Sequence, residues 1–316
     1  MGLINPEPDG NAASVDERAR EDLKWILAHP AQGKGPGGAL RHSSVRILAA
    51  ACACMIVVIG GVFMQKSVSE RHAAYAATPP LLQVSPVGES AKELLMRIAA
   101  TVARLPEAEQ HAYTEVSAQE WSLWTNVGQK AVSSEVVPSE WTLWRGPDGA
   151  GKMRTRLVVP TGEEMDTVSL VVSGDRWPTS PPALELEALE RQLAEGHPAE
   201  NGPAERIVAI SDVCRNWPLQ PAQRAALLRF LAATPGLDTE GMVTDRLGRA
   251  GIAFSLISAH SGLPTKYTVI VDPDTGAILG TEQVLTETAG KLNVPIPAVV
   301  SYTAFGTAEW RQSPSF

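Results

Sequence analysis

The sequence predicts an α+β membrane protein: one N-terminal transmembrane helix, then an outer domain of mostly antiparallel sheet with helices packed on it. Three observations predict this class. Ile47 to Met64, ILAAACACMIVVIGGVFM, is a run of eighteen residues with no charge. From His111 the chain carries runs rich in aromatic and β-branched residues, broken by turns of Asp, Pro and Gly. Between Leu184 and Leu231, apolar residues recur instead at helical spacing. The 316-residue chain is 44% hydrophobic and 20% charged, which is globular composition rather than disorder. A formal net charge of -8 argues against nucleic-acid binding. The organisation expected is a cytoplasmic tail with one short amphipathic helix (1–44), the transmembrane helix (45–65), a stalk (66–89) and an extracytoplasmic α+β domain (90–316).

At about 1.5 Å per residue the apolar run spans roughly 27 Å, close to the thickness of a hydrocarbon core. Arg46 and Lys66 bound it. A cleaved signal peptide fits less well, because the leading segment is long and Ala74-Tyr75-Ala76 lies too far beyond the run. Cys52 and Cys54 sit too early in the run for a lipoprotein signal and read as small membrane-helix residues. Lys34, Arg41 and Arg46 precede the span, and Lys66 and Arg71 follow it. That balance places the N-terminus in the cytoplasm and the bulk of the chain outside, as a single-pass cell-membrane protein. Past the span only Cys214 remains, so the outer domain has no internal disulfide and no cysteine-built metal site.

Before the span, Ser14 and Glu17 form a capping box, and Val15, Ala19, Leu23, Ile26 and Leu27 mark one helical face. This helix is too short to bury a core. Its Leu23, Ile26 and Leu27 can hold a cytoplasmic protein partner, or the helix can lie on the membrane, which Lys24 and Trp25 suit. Pro30 ends it, and QGKGPGG (32–38) is a flexible linker.

Beyond the Pro-containing stalk, Ser90 and Glu93 form a second capping box, in which hydroxyl and carboxylate each bond a backbone N–H. Leu94, Leu95, Ile98, Ala99 and Val102 then line one helical face, and Pro106 marks its end. Two strands follow with a short repeat, Glu120-Trp121-Ser122-Leu123-Trp124 and Glu140-Trp141-Thr142-Leu143-Trp144. Paired as a hairpin, Trp124 would face Trp141 and Trp121 would face Trp144. Each strand would then carry a Trp on both faces of the sheet, because residues three apart in a strand point oppositely. Trp121, Trp124, Trp141 and Trp144 are either core or one wall of an apolar binding surface. A strand from Lys152, helices near Leu184–Leu193, Ala204–Trp217 and from Pro221, and strands from Met242, Ala250, Lys266, Ala277 and Ala298 complete the domain.

Candidate chemistry is sparse. GPDGAGK (146–152) matches G-x-x-x-x-G-K, but Met153 replaces the magnesium-binding Ser or Thr, and a strand follows where a helix should; the segment reads as a hairpin turn. Asp274-Thr275-Gly276 looks like the aspartic-protease triplet, but no second triplet supplies the partner carboxylate, so DPDTG also reads as a turn. The six histidines show no metal-ligand spacing, and no G-x-S-x-G elbow occurs. No cofactor or metal is expected.

EWTLWRGPDGAGKMR, ISDVCRNWPLQPAQRAALLRFLAATPGL, VTDRLGRAGIAF and VIVDPDTGAILGTEQV, in this order, carry a resemblance that covers most of Pro106 to Trp310. The chain resembles actinobacterial single-span membrane proteins, a family without an assigned activity, often encoded beside extracytoplasmic-function (ECF) sigma factors. The resemblance implies a helix-plus-span N-terminus. It also implies an outer fold similar to the curved half-barrel sheets of lipoprotein carriers and periplasmic sigma regulators. A typical anti-sigma domain has several cytoplasmic helices, where this chain has one. The function expected is therefore a non-enzymatic, membrane-anchored outer binding or sensing module in envelope or sigma-factor-linked regulation. Its ligand would be a lipid, an envelope component or a protein. The alternatives are an anti-sigma-type regulator holding a sigma-factor-related partner through the N-terminal helix, and a lipid- or lipoprotein-carrier-like domain. An outer-face hydrolase would need two close carboxylates, or a His against a Ser.

Overall fold

The computed structural model describes residues 78–127, 132–158, 164–174 and 176–313. The helix carrying Leu23, Ile26 and Leu27 and the apolar run 47–64 lie outside the described residues. Among the described residues no helix is long and apolar enough to cross a membrane.

Helix α1 (Ala91–Val102) starts at Ser90, whose Oγ accepts the Glu93 N–H at 3.3 Å. The expected box closes differently on its other side. The Glu93 carboxylate accepts from the Ser90 hydroxyl at 2.8 Å, because a hydroxyl can accept and donate at once. Ala91, Leu94, Leu95, Ile98, Ala99 and Val102 are buried, the stripe that the spacing predicts.

Ten strands among the described residues form one antiparallel sheet: β1 (Val84–Ser85), β2 (Tyr113–Val127), β3 (Val132–Arg145), β4 (Gly151–Val158), β5 (Glu164–Val171), β6 (Asp238–Thr244), β7 (Ala250–Ser258), β8 (Thr265–Val271), β9 (Ile278–Leu285) and β10 (Ala298–Arg311). Their order is β1-β6-β7-β8-β9-β10-β2-β3-β4-β5. The sheet is thus two meanders, β2–β5 and β6–β10, joined where β10 pairs with β2. Helices α2 (Leu186–Ala194), α3 (Glu205–Asn216) and α4 (Pro221–Ala232) connect β5, at one edge, to β6 near the other. The antiparallel sheet and its helical middle agree with the α+β expectation. Val84–Ser85, inside the stretch read as a stalk, is hydrogen-bonded to β6.

The turns are the expected ones. Between β3 and β4 the Gly146 N–H donates to Ala150 O at 2.8 Å, and Asp148 Oδ1 accepts the Ala150 N–H at 3.1 Å. A Cβ on Gly151 would stand 1.9 Å from the Trp144 carbonyl oxygen, so only glycine fits at this position. In DPDTG, Asp272 Oδ1 accepts the N–H groups of Asp274 and Thr275 at 2.8 and 3.1 Å. This is the Asx geometry of a tight turn. Gly276 takes φ 66° there, packed under Val102 and Leu228.

The Trp hairpin has a different register from the one expected. Trp121 lies opposite Pro138, Trp124 opposite Glu135, Trp141 opposite Ala118 and Trp144 opposite Glu115. The strands close at Val127↔Val132, nearer the N-terminus than the assumed pairing requires. A shift of the turn by a few residues moves every cross-strand pair. The shift preserves parity, so Trp124 and Trp141 still share one face, and Trp121 and Trp144 the other. Pro138 sits one residue beyond the last β3–β4 pair, opposite Trp121 of β2.

The main core lies between the helices and one sheet face. It includes Leu94 and Leu95 of α1, Trp141 and Leu143 of β3, Leu189 and Leu193 of α2, Ile210 and Val213 of α3, and Leu227, Leu228 and Leu231 of α4. A smaller cluster of Trp121, Val136, Val284, Val299, Tyr302 and Ala304 sits on the opposite face. Gln220, buried at the start of α4, clamps the Ala108 backbone: its Oε1 accepts the N–H at 2.8 Å and its Nε2 donates to the carbonyl at 2.9 Å. Gln220→Ala would hand both backbone groups of the exposed Ala108 to water and is expected to destabilise by about 1 kcal/mol in urea unfolding. Gln220→Glu keeps the acceptor but loses the donor, and should recover only part of this.

Candidate functional site

Helix α3 is apolar towards the core through Ile207, Ile210, Val213 and Cys214, but it also turns several polar groups inward. Glu205 and Asp212 are seven residues apart, two helical turns on one face, and both reach His197 from the end of α2. His197 Nδ1 lies 2.6 Å from Glu205 Oε1, and Nε2 lies 3.1 Å from Asp212 Oδ2. Burial alone would lower the pKa of this histidine. The two carboxylate hydrogen bonds outweigh burial and push it up to about 9. The imidazolium is held edge-on to Trp177, 4.6 Å between ring centroids. With both ring nitrogens donating to carboxylates, His197 has no lone pair with which to act as a base.

One turn further along α3, Arg215 forms an ion pair with Glu120 of β2 and donates to Thr303 Oγ1 of β10 at 3.0 Å. Its guanidinium stands 5.8 Å from the centre of the Trp141 ring. Beside it is a narrow cleft of about 30 Å³, with Ser211, Tyr267, Thr281, Gln283 and Thr303 among its lining residues. That volume suits a water rather than a ligand, since ligand pockets typically run to roughly 300–1,000 Å³.

Asn216 closes the helix and is fully engaged. Its Nδ2 donates to the carbonyls of Trp177 and Asp212, both at 2.9 Å. Its Oδ1 accepts from two guanidiniums, Arg145 Nη2 at 2.7 Å and Arg176 Nε at 3.2 Å. Arg145 is 6% exposed, stacks over Trp217 at 5.2 Å and leaves its buried Nε without a hydrogen-bond partner. Burial, and then repulsion from Arg176, hold its pKa below the usual arginine range. Cys214, on the other side of α3, is sealed in the core; burial and Asp212 push its thiol up to about 12, so it is inert.

The four expected tryptophans do not form one surface. Trp141 is buried in the helix–sheet core, and Trp121 is buried on the opposite face, stacked on Tyr302 at 6.2 Å. Trp124 and Trp144 are half-buried. Among the described residues no group of three or more His, Cys, Asp or Glu is placed to hold a metal. The ionic network on α3 was not anticipated. The signal available was the seven-residue spacing of Glu205 and Asp212 on a helix preceded by a histidine.

No family model and no curated protein matches the chain. Among solved structures, an outer membrane lipoprotein-sorting protein domain from Vibrio parahaemolyticus aligns over 71% of this chain and 93% of its own, at 9% identity and a TM-score of 0.19. The dehydratase domain from the CurF module of curacin polyketide synthase aligns over 67% and 80%, at 10% identity and a TM-score of 0.12.

Proposed function

We propose that the chain is a membrane-anchored extracytoplasmic binding module, non-enzymatic, in envelope or sigma-factor-linked regulation, and that its partner docks along the edge strand β5. The apolar run 47–64 and the lysine and arginine balance around it support the anchor. One observation carries the docking surface. Strand β5 ends the sheet order, and its Val168 and Leu170 are 64% and 79% exposed, followed by exposed Val172. Edge strands are normally blunted by charge, proline or a bulge. On the same row Glu164 and Asp166 carry charge, Asp166 paired with Arg154, but the C-terminal half of the edge is apolar, and Leu170 continues a row across the sheet beside Lys152 and Trp144. Trp144 is thus the expected binding residue that lies next to this surface. Such an edge suits an extended segment of a protein partner, bonded through its backbone and read by apolar side chains.

Photo-crosslinking from Leu170 in full-length protein in its own cells tests this. A discrete protein adduct is expected, lost when Val168→Lys is added. Equal adducts from Leu170 and from the exposed Ile257 on β7, or none from Leu170, would overturn it. A lipid-carrying interior gains no support from the cleft beneath α3, which is too small for an acyl chain. The anti-sigma alternative rests on Leu23, Ile26 and Leu27; it requires that Leu23→Asp with Ile26→Asp abolish capture of a cytoplasmic partner.

A further inference from the structure

The geometry points to an anion site at Arg145 and Arg176, built for a phosphate-type oxyanion. Two guanidiniums converge on a single neutral acceptor, Asn216 Oδ1. The remaining partners of both are weak: the Trp217 ring for Arg145, and Met153 Sδ at 3.1 Å for Arg176. No described carboxylate pairs with Arg145, although it is more than nine-tenths buried and its Nε has no acceptor. Among the described residues the carboxylates nearby are already committed, Glu120 to Arg215, Glu205 to His197, and Asp212 to His197 and Arg215. Counting these groups, the cations Arg145, Arg176, Arg215 and His197 outnumber the carboxylates Glu120, Glu205 and Asp212 by one.

A buried guanidinium left without an anion is costly, and proteins rarely keep one unless it is paired. Arginine forks match phosphate oxygens in a bidentate way, and two together match a tetrahedral oxyanion. Arg176 is half-buried and Arg145 lies deeper, so an anion would meet Arg176 first. The C-terminal end of α3 also attracts cations. That role alone would require Arg145 for stability and would give no response to phosphate.

The test uses full-length protein in phosphatidylcholine nanodiscs. Its thermal unfolding is followed while inorganic phosphate replaces chloride at constant ionic strength, and then with glycerol 1-phosphate as a lipid-headgroup fragment. A rise in Tm of about 5–10 °C is expected at a hundredfold excess over Kd. A rise with phosphate alone identifies the free ion as the ligand, and one with glycerol 1-phosphate alone identifies a headgroup. Arg145→Met should abolish the response. Should Arg145→Met fail to fold, Arg176→Gln, which alters the less buried of the two side chains, should weaken the response at least tenfold. No rise with either compound, or a rise that survives in both variants, overturns the site.

Discussion

Trp141→Ala is expected to cost about 4 kcal/mol of unfolding free energy, the largest loss from any of the four hairpin tryptophans. The side chain is fully buried where β3 meets the helices, with the Arg215 guanidinium near its ring. Truncation would remove the apolar contact, leave a cavity that the flanking helices cannot easily fill, and expose Arg215 to an empty face. In full-length protein this should lower Tm by about 10 °C. Trp144→Ala, at a half-buried position on the other face, should cost about 1 kcal/mol. The contrast matters for function. Loss of binding in Trp141→Ala would report unfolding, whereas loss in Trp144→Ala with Tm nearly unchanged would report the β5 surface. A cost below about 1 kcal/mol for Trp141→Ala would mean that the helix–sheet core is not closed around it.

The second large effect is a dependence on alkaline pH. His197 is raised from 6.5 to about 9 in the fold, so the folded chain binds a proton that the unfolded chain releases. The stabilisation is therefore complete below pH 6.5 and is lost as pH rises through 9. Over that window stability should fall by about 1.4 kcal/mol per pH unit, and by about 3 kcal/mol in all. Urea unfolding at pH 6, 7, 8 and 9 measures the slope. His197→Gln should flatten it, because a neutral amide does not titrate. A slope that persists in His197→Gln would place the proton elsewhere.

Sequence patterns revealed the elements whose chemistry is local. The α1 stripe, the proline start of α4 and the Asx turn at Asp272 each depend on residues within a few positions of one another. The hairpin register was not legible, because the repeated tryptophans suggest a pairing that the turn position overrides. Strand β5 is not legible because only Val168 and Leu170 alternate with the polar Thr167 and Ser169, and the segment lacks the aromatic residues that mark β2 and β3. Its apolar side also faces outward, against the usual reading of such a pattern. The ionic network was invisible for another reason. Arg145 and Asn216 are 71 residues apart, and Arg215 and Thr303 are 88 apart. Only the fold brings them together.

The attachment of β1 has a mechanical consequence. The chain enters the sheet through two residue pairs, Val84↔Val243 and Ser85↔Met242, and through a hydrogen bond from Arg246 Nη2 to Pro80 O at 2.9 Å. Tension from the N-terminal side would load these contacts one after another, as in unzipping, before it reached the longer β6–β7 ladder. Peeling residues 80–89 would free up to roughly 30 Å of chain ahead of α1 at about 3.4 Å per residue. The helix–sheet core would remain intact, so under such a load this junction would give out chain like slack and take it back on release.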